Sequence, residues 1–379
     1  MQPFTLLIKP TGSDCNLDCK YCFYKHRAPE IGEGRQRMSD EVLEKLVKDY
    51  MELRFPVAGF AWQGGEPTLM GLDFYKKAVD LQRKYGSPGQ QVSNSLQTNA
   101  ILLNDQWCRF LHDSKFLVGI SIDGPKELHD CYRKDFSGAG TFDKVIRAIE
   151  KCKEHKVEFN ALILLNNKNA EHPDELFDFF IEQGIRYLQF IPCVELDSVT
   201  GDIAGFSVTP QQYGEFMCRI FDRWYEYGAQ KLSIRDFDSV LSHCITGRHT
   251  ICTFSRQCSQ YIVIEHSGDC FPCDFFVEPK WRLGNIFETP IEKLAAGSKK
   301  RTFARAKQNL CNKCLLCRYL DLCRAGCMKD RVPFEKENFG RESYFCESYK
   351  RFFDYAMPKF LQIAAAINAG SPVKTQPFV

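Results

Sequence analysis

"SDCNLDCKYCFYKH", residues 13–26, sets Cys15, Cys19 and Cys22 in one short loop with no fourth cysteine beside them. The whole chain carries 19 cysteines in 379 residues. That number is odd, the chain is large, and MQPFTLLIKP at its start lacks the basic region, long apolar core and small-residue cleavage site of a signal peptide. A secreted disulfide framework is therefore disfavoured, and metal or redox chemistry in a cytoplasmic protein is expected. No apolar run approaches the roughly 18 residues needed to cross a bilayer. A net charge of +2 offers no global attraction for nucleic acid or an anionic membrane.

Around the loop the sequence has a β/α rhythm. FTLLIK (4–9), VAGFAW (57–62), QVSNSLQT (91–98), FLVGISI (116–122), EFNALILL (158–165) and RYLQFI (186–191) read as strands. They alternate with helix-like stretches near 39–54, 73–85, 104–113, 141–155, 173–183 and 209–228. Six such units predict a parallel sheet with right-handed crossovers, curled into a full or partial barrel whose chemistry lies at the C-terminal strand ends. The cysteine loop follows the first strand, GGEP (64–67) the second, QTN (97–99) ends the third and SIDG (121–124) the fourth. Four separate polar motifs are thus expected on one rim.

On that rim the missing thiol has a reason. Three thiolates on a cubane [4Fe–4S] cluster leave one iron open to a substrate or cofactor. A zinc knuckle that borrows a fourth ligand from elsewhere is the alternative. The spacing Cys-x3-Cys-x2-Cys resembles that of the radical S-adenosylmethionine (SAM) superfamily. The resemblance implies that the open iron chelates SAM, whose reductive cleavage yields a 5′-deoxyadenosyl radical. It also implies roles for SAM contacts: Gly64, Gly65 and Glu66 for the amino group, Tyr21 beside the adenine, and Ser121 and Arg133 for the ribose and carboxylate. A surface arginine is the competing reading of Arg133.

The C-terminal cysteines narrow the resemblance. Cys314-x2-Cys317-x5-Cys323-x3-Cys327, followed by Cys346, resembles the SPASM domain, which holds two auxiliary [4Fe–4S] clusters. By that likeness Cys252, Cys258, Cys273 and Cys327 hold the first, and Cys314, Cys317, Cys323 and Cys346 the second. Cys270 and Cys311 are extra, each three residues before an assigned ligand, so a swap with Cys273 or Cys314 stays open. The expected organisation is a radical SAM partial (β/α)6 barrel over 1–235, a loop-rich SPASM domain over 236–350, and a C-terminal helix and tail over 351–379. Cys108, Cys131, Cys152, Cys193, Cys218 and Cys244 stand alone among apolar or helical residues and read as small hydrophobes.

Within the SPASM group, CFPCDFF (270–276) resembles the anaerobic sulfatase-maturating enzymes, which oxidise a cysteine or serine of a sulfatase polypeptide to Cα-formylglycine. The resemblance makes Asp274 the general base, against a turn cap or ion-pair partner, and places Tyr24 and Gln63 along the substrate channel. It implies SAM and three [4Fe–4S] clusters as cofactors. The implied partners are a polypeptide with a Cys/Ser-x-Pro-x-Arg motif and an electron donor such as flavodoxin or ferredoxin. Two alternatives remain. Another SPASM enzyme could forge thioether or carbon–carbon crosslinks, though such enzymes often carry an extra N-terminal peptide-recognition domain and here the first strand starts almost at residue 1. A zinc- or iron–sulfur-stabilised nucleic-acid binder would need a basic, aromatic-interleaved surface that the balanced charge does not offer. The basic stretch GSKKRTFARAK (297–307) reads as a solvated face or a guide for a polypeptide, and SPVKTQPFV (371–379) as a frayed terminus.

Overall fold

A computed structural model describes residues 2–25, 35–331 and 341–370, which leaves the tail 371–379 outside the described residues. Its strands are β1 (Thr5–Lys9), β2 (Val57–Trp62), β3 (Gln91–Thr98), β4 (Leu117–Ser121), β5 (Phe159–Leu165), β6 (Tyr187–Pro192), β7 (Ser233–Ile234), β8 (Tyr261–Glu265), β9 (Asp269–Phe271) and β10 (Gly284–Asn285). The helices that matter are α1 (Asp40–Met51), α2 (Leu72–Tyr85), α3 (Asp105–Asp113), α4 (Phe142–Glu154), α5 (Pro173–Glu182), α6 (Pro210–Tyr227), α7 (Arg235–Thr246), α8 (Ser298–Ala306) and α9 (Cys346–Asn368). Two compact units interleave along the chain: one takes residues 1–121, 130–159 and 258–305, the other 122–129, 160–257 and 306–379.

In the first unit the strand order is β10-β9-β8-β1-β2-β3-β4. β8 through β4 run parallel, while β9 and β10 are antiparallel additions at one edge. β1 is buried from Leu6 to Lys9, as a central parallel strand covered on both faces must be. α1 starts where Ser39 accepts from Val42 N (3.2 Å) and buries Val42, Leu43, Leu46, Val47 and Tyr50, a helical stripe. Tyr50, Phe60, Trp62 and Tyr75 form the aromatic centre beneath it. Cys108 of α3 and Cys152 of α4 face each other inside this apolar interior, 3.9 Å apart, packed as small hydrophobes.

In the second unit β5, β6 and β7 pair in parallel. α6 begins with a full capping box between Thr209 and Gln212. It packs on α9 through Tyr213 against Phe345, and Phe221 against Phe352 and Phe360. α9 starts at Cys346, five residues before the segment expected to be helical.

Two expectations need correction. Cys131 is exposed, so it is not a small hydrophobe packed in the interior. The basic stretch at 297–307 is not a uniformly solvated face. Within α8 Lys300, Phe303, Ala304 and Ala306 are buried, and so is Lys307 just past its end. Lys299, Arg301 and Arg305 take the exposed side.

Candidate functional site

The first unit gathers the rim motifs around the cysteine loop. Gly12 and Asp14 turn the chain back on itself after β1 through bonds to Lys9 O (3.1 Å) and Thr11 O (2.9 Å). Gly65 N donates to Gly12 O (2.8 Å) and Glu66 N to Asp14 O (2.9 Å), so the GGEP backbone is stitched directly to the loop. A Cβ on Gly65 would lie 2.0 Å from Asp14 O, and Gly64 has φ 135°, a region that favours glycine. Glu66 is fully buried. Its Oε1 accepts from Thr68 N (2.9 Å), Thr68 Oγ1 (2.6 Å) and Thr98 Oγ1 (2.7 Å), and its Oε2 from Asn99 N (2.8 Å). Burial holds it above the usual carboxylate range despite these donors. Three of the four donors fall on Oε1 and one on Oε2, so Glu66 braces the rim while Oε2 keeps acceptor capacity beside the backbone of Gly64 and Gly65.

Asn99, ending the third motif, donates from Nδ2 to Asn16 Oδ1 (2.8 Å), and the same nitrogen stands 3.9 Å from Cys15 Sγ. Burial pushes the Cys15 thiol up, and Glu66, Cys19 and Cys22 add to the shift, so the three thiols are close enough to interact. The Cys15 thiol is thereby held in its neutral form until a metal supplies the compensating charge. Asp18 N to Lys134 O (2.8 Å) and Lys20 N to Tyr132 O (3.2 Å) tie the loop to the segment carrying Arg133. The Arg133 guanidinium stands 5.4 Å from the centre of the Tyr21 ring, which also meets Tyr132 edge-on. Ser121 ends β4 one residue past Ile120, the register partner of Thr98, and so reaches the same rim by topology. Among the described residues no three His, Cys, Asp or Glu side chains are grouped to hold a single metal ion.

Asp274 opens a short turn whose flanks are fixed by aromatics. Phe275 packs on Phe23 of the cysteine loop (4.8 Å) and Phe276 on Phe303 (5.1 Å). Lys9 Nζ lies 3.7 Å from Asp274 Oδ2 and 4.2 Å from the centre of the Tyr24 ring, while the Tyr24 hydroxyl donates to Glu265. Lys9 and Glu265 are direct partners across β1 and β8, and both are buried, at 2% and 1% exposure. Burial pushes Glu265 up to about 7, opposed by the Tyr24 bond and the Lys9 charge, and its Oε2 has no hydrogen-bond partner among the described residues. Tyr24 is itself buried, packed with Leu7, Val263, Phe271 and Val277. Gln63 follows β2, its N–H bonded to Ile8 O (2.9 Å), with the side chain half-buried. The sequence reading missed Lys9 and Glu265. The available signal was a charged residue closing an otherwise apolar strand, FTLLIK and YIVIE.

The second set of C-terminal cysteines is grouped by the structure. Cys314, Cys317, Cys323 and Cys346 line one cavity with Tyr319 and Tyr349. Burial pushes Cys346 up to about 12, and burial with the neighbouring Cys311, Cys346 and Cys323 thiols pushes Cys314 up to about 12. Four converging thiols around a cavity fit a fully ligated cluster. Of the first set, Cys258 and Cys273 lie in the first unit, where the Cys273 thiol donates to Asp274 Oδ1 (3.6 Å); Cys252 and Cys327 lie in the second. Cys270 is held in the β8–β9–β10 ladder, fully buried, its thiol directed at Gly268 O (3.6 Å).

Two family descriptions match the chain: the radical SAM superfamily over residues 10–180, and the SPASM iron–sulfur cluster-binding domain over residues 252–318. A parallel-stranded α/β fold with a three-cysteine loop and a cysteine-rich C-terminal segment defines a radical SAM enzyme of the SPASM group. The cysteine-type anaerobic sulfatase-maturating enzyme of Clostridium perfringens is 40% identical over 97% of this chain and 100% of its own length. The serine-type enzyme of Bacteroides thetaiotaomicron is 37% identical over 94% of this chain and 90% of its own. The structure of native anSMEcpe with bound AdoMet and Cp18Cys peptide superposes with TM-score 0.89 at 39% identity, covering 97% of this chain and 100% of that one. Streptococcus suis SuiB bound to precursor peptide SuiA shares the fold alone, with TM-score 0.65 at 19% identity over 91% of this chain and 76% of its own. The chain belongs to the anaerobic sulfatase-maturating enzymes.

Proposed function

We propose that this enzyme oxidises a cysteine or serine in a sulfatase polypeptide, within a Cys/Ser-x-Pro-x-Arg motif, to Cα-formylglycine, with Asp274 as the base. SAM and three [4Fe–4S] clusters, on Cys15/Cys19/Cys22, on Cys252/Cys258/Cys273/Cys327 and on Cys314/Cys317/Cys323/Cys346, would supply a carbon radical and an acceptor for the second electron. The chain's own residues do the rest. Gly64, Gly65 and Glu66, with Tyr21, Ser121 and Arg133, orient SAM. Tyr24 and Gln63 shape the approach of the peptide. Once a hydrogen atom has left the target's Cβ, Asp274 takes the thiol or hydroxyl proton as the second electron departs, with Lys9 as its countercharge. A serine is then already the aldehyde, whereas the thioaldehyde left by a cysteine takes its oxygen from water and releases its sulfur as hydrogen sulfide. The observation that carries this reading is the Asp274 turn, packed through Phe275 onto Phe23 of the cysteine loop and paired with Lys9. We place the reaction in the cytoplasm, with a flavodoxin or ferredoxin as donor; no helix among the described residues is long and apolar enough to cross a membrane.

The test uses a peptide containing Cys-x-Pro-x-Arg deuterated at the cysteine Cβ. Deuterium should pass into 5′-deoxyadenosine, and the peptide should become an aldehyde detectable by mass and hydrazine trapping. A product lighter by two hydrogens that keeps its sulfur would point to crosslinking, and transfer only from a Cα label would remove formylglycine formation.

A further inference from the structure

Helix α8 carries a lysine inside the first unit where the sequence suggested surface charge. Lys300 is 4% exposed, and its Nζ donates to Cys258 O (3.1 Å), Tyr261 O (2.7 Å) and Pro272 O (3.1 Å). One acceptor belongs to an assigned ligand of the first auxiliary cluster and another to the residue just before a second, Cys273. The helix is held there by Phe303, which packs against Phe276 and Trp281. In the second unit Lys307, 1% exposed, has the same arrangement, donating to Cys252 O (2.6 Å) and Thr253 O (2.7 Å) at a third assigned ligand.

From this geometry we infer that Lys300 is a positioning residue for the first auxiliary cluster: it pins the Cys258 and Cys273 segments to one another and, as an ammonium, sets a positive charge at the backbone that carries these two ligands. The inference rests on the ligand assignment above. An ammonium taken out of water costs several kcal/mol unless an opposite charge lies near it, and carbonyl groups satisfy its N–H bonds without neutralising it. Two thiolates at the ends of the segments it binds supply that charge. A thiolate-ligated cluster becomes more negative on reduction, so a neighbouring cation favours the reduced state and raises the reduction potential.

The experiment uses the full-length protein in a C15A/C19A/C22A background, reconstituted anaerobically, so that only the two auxiliary clusters give signals in an EPR-monitored redox titration. K300Q keeps donors for the carbonyls and loses the charge. It should retain about eight irons, two cubanes of four, while the midpoint of one auxiliary signal moves to lower potential. K300R should keep both midpoints near the parent. K300M, without donors or charge, should lose about four irons; if it does not fold, K300Q carries the test. Full iron with both midpoints unmoved in K300Q overturns the inference, as does an equal shift in K300R. C258A in the same background separates the two layers. Loss of about four irons there, with K300Q unmoved, sinks the lysine's role alone. No loss in C258A overturns the ligand assignment and the inference with it.

Discussion

The proposed base, Asp274, is held by Lys9 and the Cys273 thiol. Asp274→Asn keeps shape and loses basicity, so aldehyde formation measured by mass should fall roughly 10²–10⁴-fold, the range for removing a general base, while the iron content stays. A lost cluster would instead assign Asp274 to scaffolding around Cys273. Glu265 gives a separate pH signature. Its folded value, about 7, lies above the ordinary 4.5, so the folded state holds more protons between those pH values. The stability linked to this group is therefore full below about pH 4.5 and declines as pH rises to about 7, a loss of order 3 kcal/mol across the window. Glu265→Gln should flatten that decline in anaerobic thermal melts, and an unchanged profile would mean the carboxyl is not the linked group. The Asp274 proposal rests on its Pro-Cys-Asp-Phe setting. Lys9 and Glu265 could not be read from the sequence, because a charge at the end of an apolar strand commonly reaches solvent, and only the β1–β8 register shows that these two face each other inside.

Elements with strong periodicity were the legible ones. Six strands and six helices fall within about three residues of their expected ends, since apolar runs and amphipathic stripes mark them directly. β7, β9 and β10 span two or three residues and carry no period to read, so their existence depends on partners distant in sequence. Helix α8 shows the opposite failure: its inward side includes Lys300, and Lys307 just past its end is buried too, so composition misassigned both. The rim glycines were legible as a motif, but the reason for Gly65 was not. It is the approach of residues 13–14 of the cysteine loop, which leaves no room for a side chain. Gly65→Ala should force the loop away from β2, with loss of about four irons and of SAM binding, while the auxiliary clusters persist. An alanine variant with full iron and normal SAM cleavage would mean that the loop can move aside without consequence.

At the scale of the molecule, the eleven assigned cysteines are three plus four plus four, and the fully reconstituted enzyme should hold about twelve irons. Composition announced metal chemistry and the spacing announced the family, yet neither shows which parts of the chain depend on a cluster for their shape. The structure does. The cysteine loop is bonded through Asp18 and Lys20 to Lys134 and Tyr132, and the turn just before it through Gly12 and Asp14 to Gly65 and Glu66, beside a parallel sheet. The segment around Cys314, Cys317 and Cys323 has only four-residue helices, Asn312–Leu315 and Leu320–Cys323, with Leu315 and Leu316 exposed, so its fold leans on what its thiols hold. Metal binding to such a segment is itself folding free energy. Cys317→Ala should therefore remove about four irons and lower the anaerobic Tm by more than Cys15→Ala/Cys19→Ala/Cys22→Ala, which removes as many. Scanning calorimetry of the two reconstituted variants decides it: an equal or smaller drop for Cys317→Ala would mean that the C-terminal segment keeps its shape without its cluster.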